Sequence, residues 1–167
     1  YVADWENGLV IIDISNPKSP TQVGRYDTTG RAYYVYVQGS YAYVADMENG
    51  LVIIDISNPK SPTQVGRYDT AGYARGVYIQ GSYAYVTDYD NGLVIIDVSN
   101  PKSPIQFGRY ADYYANGVYV QGSYAYVADR DKGLVIIDIS NPKGPVQLGW
   151  YDTAGKAYSV YIQGNYA

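Results

Sequence analysis

The chain has 167 residues, of which 47% are hydrophobic, so it is long and apolar enough to form one domain with a substantial core. A formal net charge of −4, with basic residues scattered singly, excludes the positive surface of a nucleic-acid-binding protein, and no apolar run approaches the roughly 18 residues needed to span a bilayer. Histidine and cysteine are absent, which excludes disulfides, zinc sites and nucleophilic triads built on either residue. We therefore predict no cofactor, no nucleic-acid partner and no membrane insertion.

One segment recurs four times along the chain. YVADWENGLVIIDISNP begins at Tyr1, and near copies begin at Tyr43, Tyr85 and Tyr126. The repeat units are residues 1–42, 43–84, 85–125 and 126–167. Periods of about 20 to 50 residues are typical of solenoids, propellers and arrays, in which each unit buries its apolar surface against a neighbour. We predict a single repeat domain over residues 1–167.

Each unit contains four short candidate strands rich in Val, Ile and Tyr, and none has helical periodicity. The first complete set of four is YVYVQ at 34–38, YAYVAD at 41–46, LVIIDI at 51–56 and TQVGRY at 63–68. The pair Asn49 and Gly50 is the one that tight hairpin turns prefer, because both residues tolerate positive φ. Neighbouring strands should therefore be antiparallel.

The LVII strand is apolar on both faces, with Leu51 and Ile53 on one side and Val52 and Ile54 on the other. Such a strand needs cover on both sides of its sheet. Face-to-face stacking of four-stranded antiparallel sheets around an axis provides that cover, so we predict an all-β fold, a β-propeller of four blades. A parallel β-helix is the competing architecture, but it does not need such regular hairpins.

The two ends of the chain, YVAD and GNYA, join to reproduce the GSYAYVAD found inside it, so the chain is cut within a strand. We expect an excerpt of a longer array. Because unpaired strand edges promote association, the four blades should close on themselves, continue in a longer chain, or pair with another copy to form a larger ring.

The segment GLVIIDISNPKSP, preceded by YVAD and followed by GxAxxVYVQG, resembles the LVIVD repeat, a propeller-blade repeat of bacterial and archaeal proteins. The resemblance covers all four units. The chain lacks the His and the Trp-Asp strand end of WD40 blades. The resemblance implies a propeller fold and, because many such proteins are predicted to be exported or surface-attached, an extracellular or cell-surface location. It implies no particular activity.

Some positions are identical in all four units. An aspartate precedes Ser-Asn-Pro in each, where its carboxylate can accept backbone N–H bonds and fix the turn. These aspartates, interpreted as structural, are Asp13, Asp55, Asp97 and Asp138. The frozen prolines and glycines are Pro17, Pro59, Pro101, Pro142, Gly39, Gly81, Gly122 and Gly164. In an up-and-down blade the QGS hairpin and the SNPKSP loop share one end, which we call the frozen end.

The opposite end of the blades, the variable face, is formed by the second hairpin and the connection between blades. In the hairpin one equivalent position carries Trp5, Met47, Tyr89 and Arg130. In the connection one position carries Arg31, Tyr73, Tyr114 and Lys156, and another carries Tyr33, Arg75, Asn116 and Tyr158. Aromatic and Arg side chains on loops of a rigid scaffold are typical of a recognition surface. Neutral drift of exposed loops would give the same variability.

The acidic turns are candidates for metal binding and for catalysis. Asp-x-acid-x-Gly, which begins at Asp4, Asp46, Asp88 and Asp129, resembles the start of a calcium loop, but the bidentate acid is missing because a buried strand follows. The two carboxylates of a glycosidase should be acids that occur in one unit only. Asp112 is the only acid of the variable face without an acidic counterpart in the other units. We therefore predict neither a metal site nor an enzyme.

Together these observations predict a non-enzymatic, surface-exposed β-propeller whose variable face binds a protein or a glycan. The alternative is a structural module that assembles rings, sheaths or stalks by blade-to-blade contact, in which case a second copy of the chain is the partner.

Overall fold

A computed structural model describes all 167 residues, which form fifteen strands and no helix. The first sheet has the strands β1 (Val2–Ala3), β2 (Leu9–Asp13) and β3 (Thr21–Tyr26). The second has β4 (Ala32–Gln38), β5 (Tyr41–Asp46), β6 (Gly50–Asp55) and β7 (Thr63–Tyr68). The third has β8 (Ala74–Gln80), β9 (Tyr83–Asp88), β10 (Gly92–Asp97) and β11 (Ile105–Tyr110). The fourth has β12 (Ala115–Gln121), β13 (Tyr124–Asp129), β14 (Gly133–Asp138) and β15 (Val146–Tyr151).

Within every sheet the strands lie side by side in chain order, and all pairs are antiparallel. The prediction of an all-β fold made of propeller-type blades is thereby confirmed. The inner strand β4 begins at Ala32, two residues before its predicted start, because the register shifts between Ala32 and Tyr34 opposite β5. This bulge recurs at the start of β8 and β12, so it belongs to the blade design rather than to one unit.

The LVII strands are covered on both faces, as predicted. Leu51 and Ile53 pack in a cluster that reaches into the third sheet, whereas Val52 and Ile54 pack in a cluster shared with the first sheet. All four side chains are buried. Each interface between successive blades is therefore a continuous apolar core, which is where burial of apolar surface stabilises the stack.

The frozen end carries a second contact between successive blades. A methyl group built on Gly66 of β7 would overlap the carbonyl oxygen of Pro101 in the SNPKSP loop of the next blade. Gly24 and Gly108 meet the equivalent prolines in the same way, whereas Gly149 of β15 has nothing within 4 Å. The repeated glycine therefore allows the next loop to sit directly on the outer strand.

The four sheets do not close into a ring. The first sheet has three strands, and the inner-strand sequence at 157–162 belongs to no sheet, although Gln163 forms an isolated bridge with Tyr166. Apolar residues on the two end sheets are uncovered: Ile14 is 72% exposed, while Ile56, its equivalent in the second unit, is 5% exposed. Val146, Leu148 and Trp150 on β15 are exposed as well. No helix that could cross a membrane is present.

Candidate functional site

The structure separates the two ends of each blade as the sequence predicts. At the frozen end the backbone N–H of Ile56 donates to the carbonyl of Ser40 at 2.9 Å, which ties the SNPKSP loop to the QGS hairpin. At the variable face the second hairpin of one blade bonds to the connection that enters the next. Trp5 and Ala32 exchange two backbone bonds of 3.1 and 3.0 Å, and the N–H of Tyr114 donates to the carbonyl of Tyr89 at 2.6 Å. These bonds involve only backbone atoms.

Arg75, at the start of β8, is the centre of the variable face. Its guanidinium carbon lies 3.7 Å from the ring centroid of Tyr89 and 5.8 Å from that of Tyr33, so it stacks between residues of two other units. Its Nη1 donates to Asn116 Oδ1 at 2.7 Å, and Asn116 Nδ2 donates to the carbonyl of Ala157 at 2.9 Å. The guanidinium is thus held on its face and at one nitrogen.

The charge of Arg75 has no acidic partner in the chain. The five ion pairs of the structure involve other cations, and the Nε of Arg75 is buried without a hydrogen-bond acceptor. A buried donor without an acceptor is unfavourable, because it has lost its bond to water and gained none. Nη2 also forms no hydrogen bond within the chain, and the unpaired positive charge therefore favours a negatively charged ligand at the accessible part of the guanidinium.

Tyr89 connects Arg75 with a second arginine. Arg130 Nη1 donates to the Tyr89 hydroxyl at 2.5 Å, and this bond raises the pKa of Arg130. The ring of Tyr114 packs edge-on against Tyr89 with 5.1 Å between centroids. An ion pair between Arg130 and Asp131 at 3.9 Å partly neutralises this side of the face.

A further aromatic group lies in the first unit. Arg31 lies over the Trp5 ring at 5.3 Å, and the Trp5 and Tyr33 rings are 6.2 Å apart. Arg31 also pairs with Glu48, so its charge is satisfied within the chain. Because Tyr33 also contacts Arg75, both groups belong to one network, which we call the Arg75 cluster. Its members are Trp5, Arg31, Tyr33, Arg75, Tyr89, Tyr114, Asn116 and Arg130.

Four predicted site residues lie outside the cluster, and two of the twelve are buried. Met47 is 7% exposed and Asn116 is 1% exposed, so neither side chain forms part of the outer surface. Tyr73 is exposed but contributes only its carbonyl, which accepts from the N–H of Tyr89 at 2.9 Å. Lys156 and Tyr158 are exposed at the fourth unit, and Tyr158 also lines the cavity described next.

Sequence reasoning missed an axial cavity of about 580 Å³ beneath Arg75. Its wall is formed by one tyrosine from each inner segment, and successive ring centroids are 4.9, 5.0 and 5.3 Å apart. These residues are Tyr36, Tyr78, Tyr119 and Tyr161. Burial, reinforced by the neighbouring tyrosines, raises the pKa of Tyr78. The signal was present, since tyrosine recurs at this inner-strand position in all four units, but the repeat alone does not show that the four rings face one cavity.

The acids of the variable face serve its turns. Asp129 Oδ1 accepts from the backbone N–H groups of Asp131 and Lys132 at 2.9 and 2.8 Å, and Asp88 accepts in the same way. Burial raises the pKa of Asp129, as it does that of Asp46. Asp112, the acid without an echo in other units, accepts from Lys132 Nζ at 2.5 Å. No group of three acids is assembled that could hold a metal ion.

The aspartates of the frozen end behave in the opposite way. In each unit the carboxylate accepts from the backbone N–H of the serine two residues on, at 2.8 Å. Hydrogen bonds to this serine lower the pKa of all four carboxyl groups, which are Asp13, Asp55, Asp97 and Asp138. These carboxyl groups stay ionised to a lower pH because the N–H groups of the turn donate hydrogen bonds to the carboxylates.

Comparison with known proteins bears on the family of the chain. The family model for the LVIVD repeat matches residues 1–28, 29–70, 71–112 and 114–153. No curated protein matches the chain at a significant level. Four successive matches cover most of the sequence and agree with the four stacked sheets, and the chain therefore belongs to the LVIVD-repeat family.

Proposed function

We propose that the protein is a non-enzymatic recognition module that works at the cell surface or outside the cell and binds a protein or a glycan through its variable face. The observation that carries the proposal is the Arg75 cluster, in which arginines and aromatic rings from different units form one contiguous group. Aromatic and arginine side chains dominate binding energy at recognition surfaces because they combine large contact area with directional polar groups.

The way the blades hold this face supports a binding role. The variable loops are fixed by backbone bonds to the neighbouring blade, such as those between Trp5 and Ala32, so their side chains are free to differ without loss of the frame. A pre-organised surface loses little conformational entropy when a ligand binds. The repeated backbone contacts thus hold the loops in place, while the variable side chains are available for ligand binding.

The absence of enzymatic activity is part of the proposal. Asp88 and Asp129 each hold a hairpin turn through their Oδ1 atoms, and Asp112 pairs with Lys132. Acids committed to turns and ion pairs are not placed as an acid and base pair across an open cleft. The surface location rests on the tendency of this repeat family to occur in exported proteins.

The test is a binding screen of the 167-residue chain on a glycan array and on a panel of extracellular proteins. A variable-face triple variant, Trp5→Ala with Tyr89→Ala and Arg130→Ala, should lose every ligand that the wild-type chain retains. A matched frozen-end triple variant, Lys18→Ala with Lys60→Ala and Lys102→Ala, should keep them. Binding that disappears only in the frozen-end variant, or no binding at all, would contradict the proposal.

A second candidate function, assembly by blade-to-blade contact, is favoured by the exposed apolar faces of the two end sheets. Ile14, next to β2, and Leu148 on β15 are exposed, whereas their equivalents in the second unit, Ile56 and Val65, are buried and half-buried. An end sheet of one copy could pack on the opposite end sheet of another, as successive blades do, in a head-to-tail contact. Light scattering would show a dimer or larger species that Leu148→Lys converts to a monomer, whereas a wild-type monomer would contradict assembly.

A further inference from the structure

The axial cavity has an open hollow at the level just below Arg75. The residues at this level are Tyr34, Gly76, Gly117 and Ser159, so two adjacent inner strands have no side chain there. A methyl on Gly76 would lie 2.8 Å from the carbonyl oxygen of Asn116 on the next inner strand, and one on Gly117 would lie 2.9 Å from the Cα of Ser159. The inner strands approach too closely for side chains at these positions. The hollow is therefore kept open by packing.

Arg75 stands at the mouth of this hollow in a fixed position. Tyr89 supports the face of its guanidinium and Asn116 holds Nη1, while Nη2 forms no hydrogen bond within the chain and no acid pairs with the charge. Asn116 is itself fixed, since Thr87 Oγ1 donates to its carbonyl at 2.5 Å and its Nδ2 donates to Ala157. A planar guanidinium with free donors is the preferred partner of a carboxylate.

The remaining wall is amphipathic. Tyrosine rings provide apolar edges and faces, and their hydroxyls together with Ser159 provide hydrogen bonds. A sugar ring has the same mixture, with C–H groups on its faces and hydroxyls around its edge. The cavity volume of about 580 Å³ lies within the range of roughly 300 to 1,000 Å³ that is typical of small-ligand sites. A single Asp or Glu side chain of a peptide would leave most of this volume empty.

From these features we infer that the cavity beneath Arg75 binds a carboxylated sugar, a uronic acid unit of an acidic glycan, with its carboxylate on the guanidinium and its ring among the tyrosines of the inner strands. The inference rests on the proposed function, because it names the ligand class of the same face.

The test compares two probes by titration calorimetry at low ionic strength, trigalacturonic acid and its neutral counterpart galactotriose. The acidic probe should bind and the neutral probe should bind at least about 30-fold more weakly, because the charge pair forms in a partly desolvated site. Added salt should weaken the binding of the acidic probe only moderately, since an ion pair between its carboxylate and Arg75 would be partly buried and poorly screened.

Variants locate the site. Arg75→Gln should weaken the binding of trigalacturonic acid by about 30-fold or more. Arg75→Lys should recover part of this affinity, because it restores the charge but not the planar guanidinium. Arg109→Gln is the matched control: it removes the same charge from an exposed position of β11 that does not line the cavity, and it should bind as wild type. Tyr119→Phe, which keeps the ring, should weaken binding by only a few-fold.

Each outcome decides one point. Equal affinity for the two sugars, or tighter binding of hexaglutamate than of trigalacturonate, would overturn the inference. If neither sugar binds but the screen finds other ligands that the variable-face triple variant loses, the inference fails and the proposed function stands. If nothing binds in either experiment, both fail. Circular dichroism of each variant shows whether lost binding reflects lost fold.

Discussion

The two ends of each blade show how one repeat can be both invariant and adaptable. At the frozen end the contacts depend on residue identity: the Asp97 carboxylate accepts from the N–H of Ser99, and Gly66 leaves room for the Pro101 carbonyl. At the variable face the equivalent contacts join backbone atoms, as between Trp5 and Ala32. The repeated Asp and Gly residues of the frozen end are therefore constrained, whereas the side chain at the position of Trp5 is free to change from unit to unit.

The largest effect should come from the glycine at the frozen end. Gly66→Ala should lower the free energy of unfolding by about 3 kcal/mol, because its methyl group would overlap the backbone of the next blade. Gly149→Ala, at the equivalent position of the fourth sheet, meets nothing within 4 Å and should be tolerated. Urea denaturation measures both. Equal losses in the two variants would show that the glycine is needed for its conformation and not for this contact.

A smaller effect is expected at Thr87, a support of the variable face that only the third unit has. Its hydroxyl donates to the carbonyl of Asn116, and the equivalent residues in the second and fourth units are Ala45 and Ala128. Thr87→Ala should cost about 1 to 2 kcal/mol, because a buried carbonyl loses its donor. It should also weaken ligand binding through Asn116 and Arg75. Unchanged stability would mean that other groups replace this bond.

The pKa values of the acids at the two ends should be shifted in opposite directions. The pKa of Asp97 is lowered, so its contribution to stability is present above the unfolded-state pKa and is lost as pH falls through the folded-state value. The pKa of Asp129 is raised by burial, so its contribution is present below the unfolded-state pKa and is lost as pH rises through the folded-state value. Carboxyl carbon chemical shifts followed by NMR should give Asp97 a pKa below the ordinary value for an aspartate and Asp129 a pKa above it. The reverse order would contradict the assignment of their environments.

The smallest effect should be that of an exposed variable residue. Tyr73→Ser should change the free energy of unfolding by less than about 0.5 kcal/mol, because the side chain is exposed and only its carbonyl takes part in a bond. Thermal unfolding beside wild type measures the change. A loss as large as that of Thr87→Ala would show that the variable face also bears on stability.

Much of the fold was predictable because its signals are local. Runs rich in Val, Ile and Tyr, together with the Asn-Gly turns, placed the strands of the second sheet within two residues of their observed bounds. The apolar side chains of Leu51 and Val52, on opposite faces of one strand, required cover on both sides of the sheet. The bulge between Ala32 and Tyr34 was missed because no residue type there requires it.

The candidate site was only partly predictable because its contacts are distant in the sequence. Repeat position placed Arg75 and Tyr89 at the same end, but not the stacking between them. The burial of Met47 and Asn116 depends on how neighbouring blades approach, and so does the axial cavity. Alternation shows which side of a strand a tyrosine faces, whereas it does not show what stands across the axis.

The most direct test of the division between the two ends is to measure ligand affinity and the free energy of unfolding together in two triple variants. The variable-face variant, Trp5→Ala with Tyr89→Ala and Arg130→Ala, should lose binding and stay within about 2 kcal/mol of wild-type stability. A second frozen-end variant, in which the aspartates are replaced (Asp55→Ala with Asp97→Ala and Asp138→Ala), should be clearly less stable than wild type. Under conditions in which it is folded, it should bind the ligand as wild type does. A folded frozen-end variant that no longer binds, or a variable-face variant that unfolds, would contradict the account.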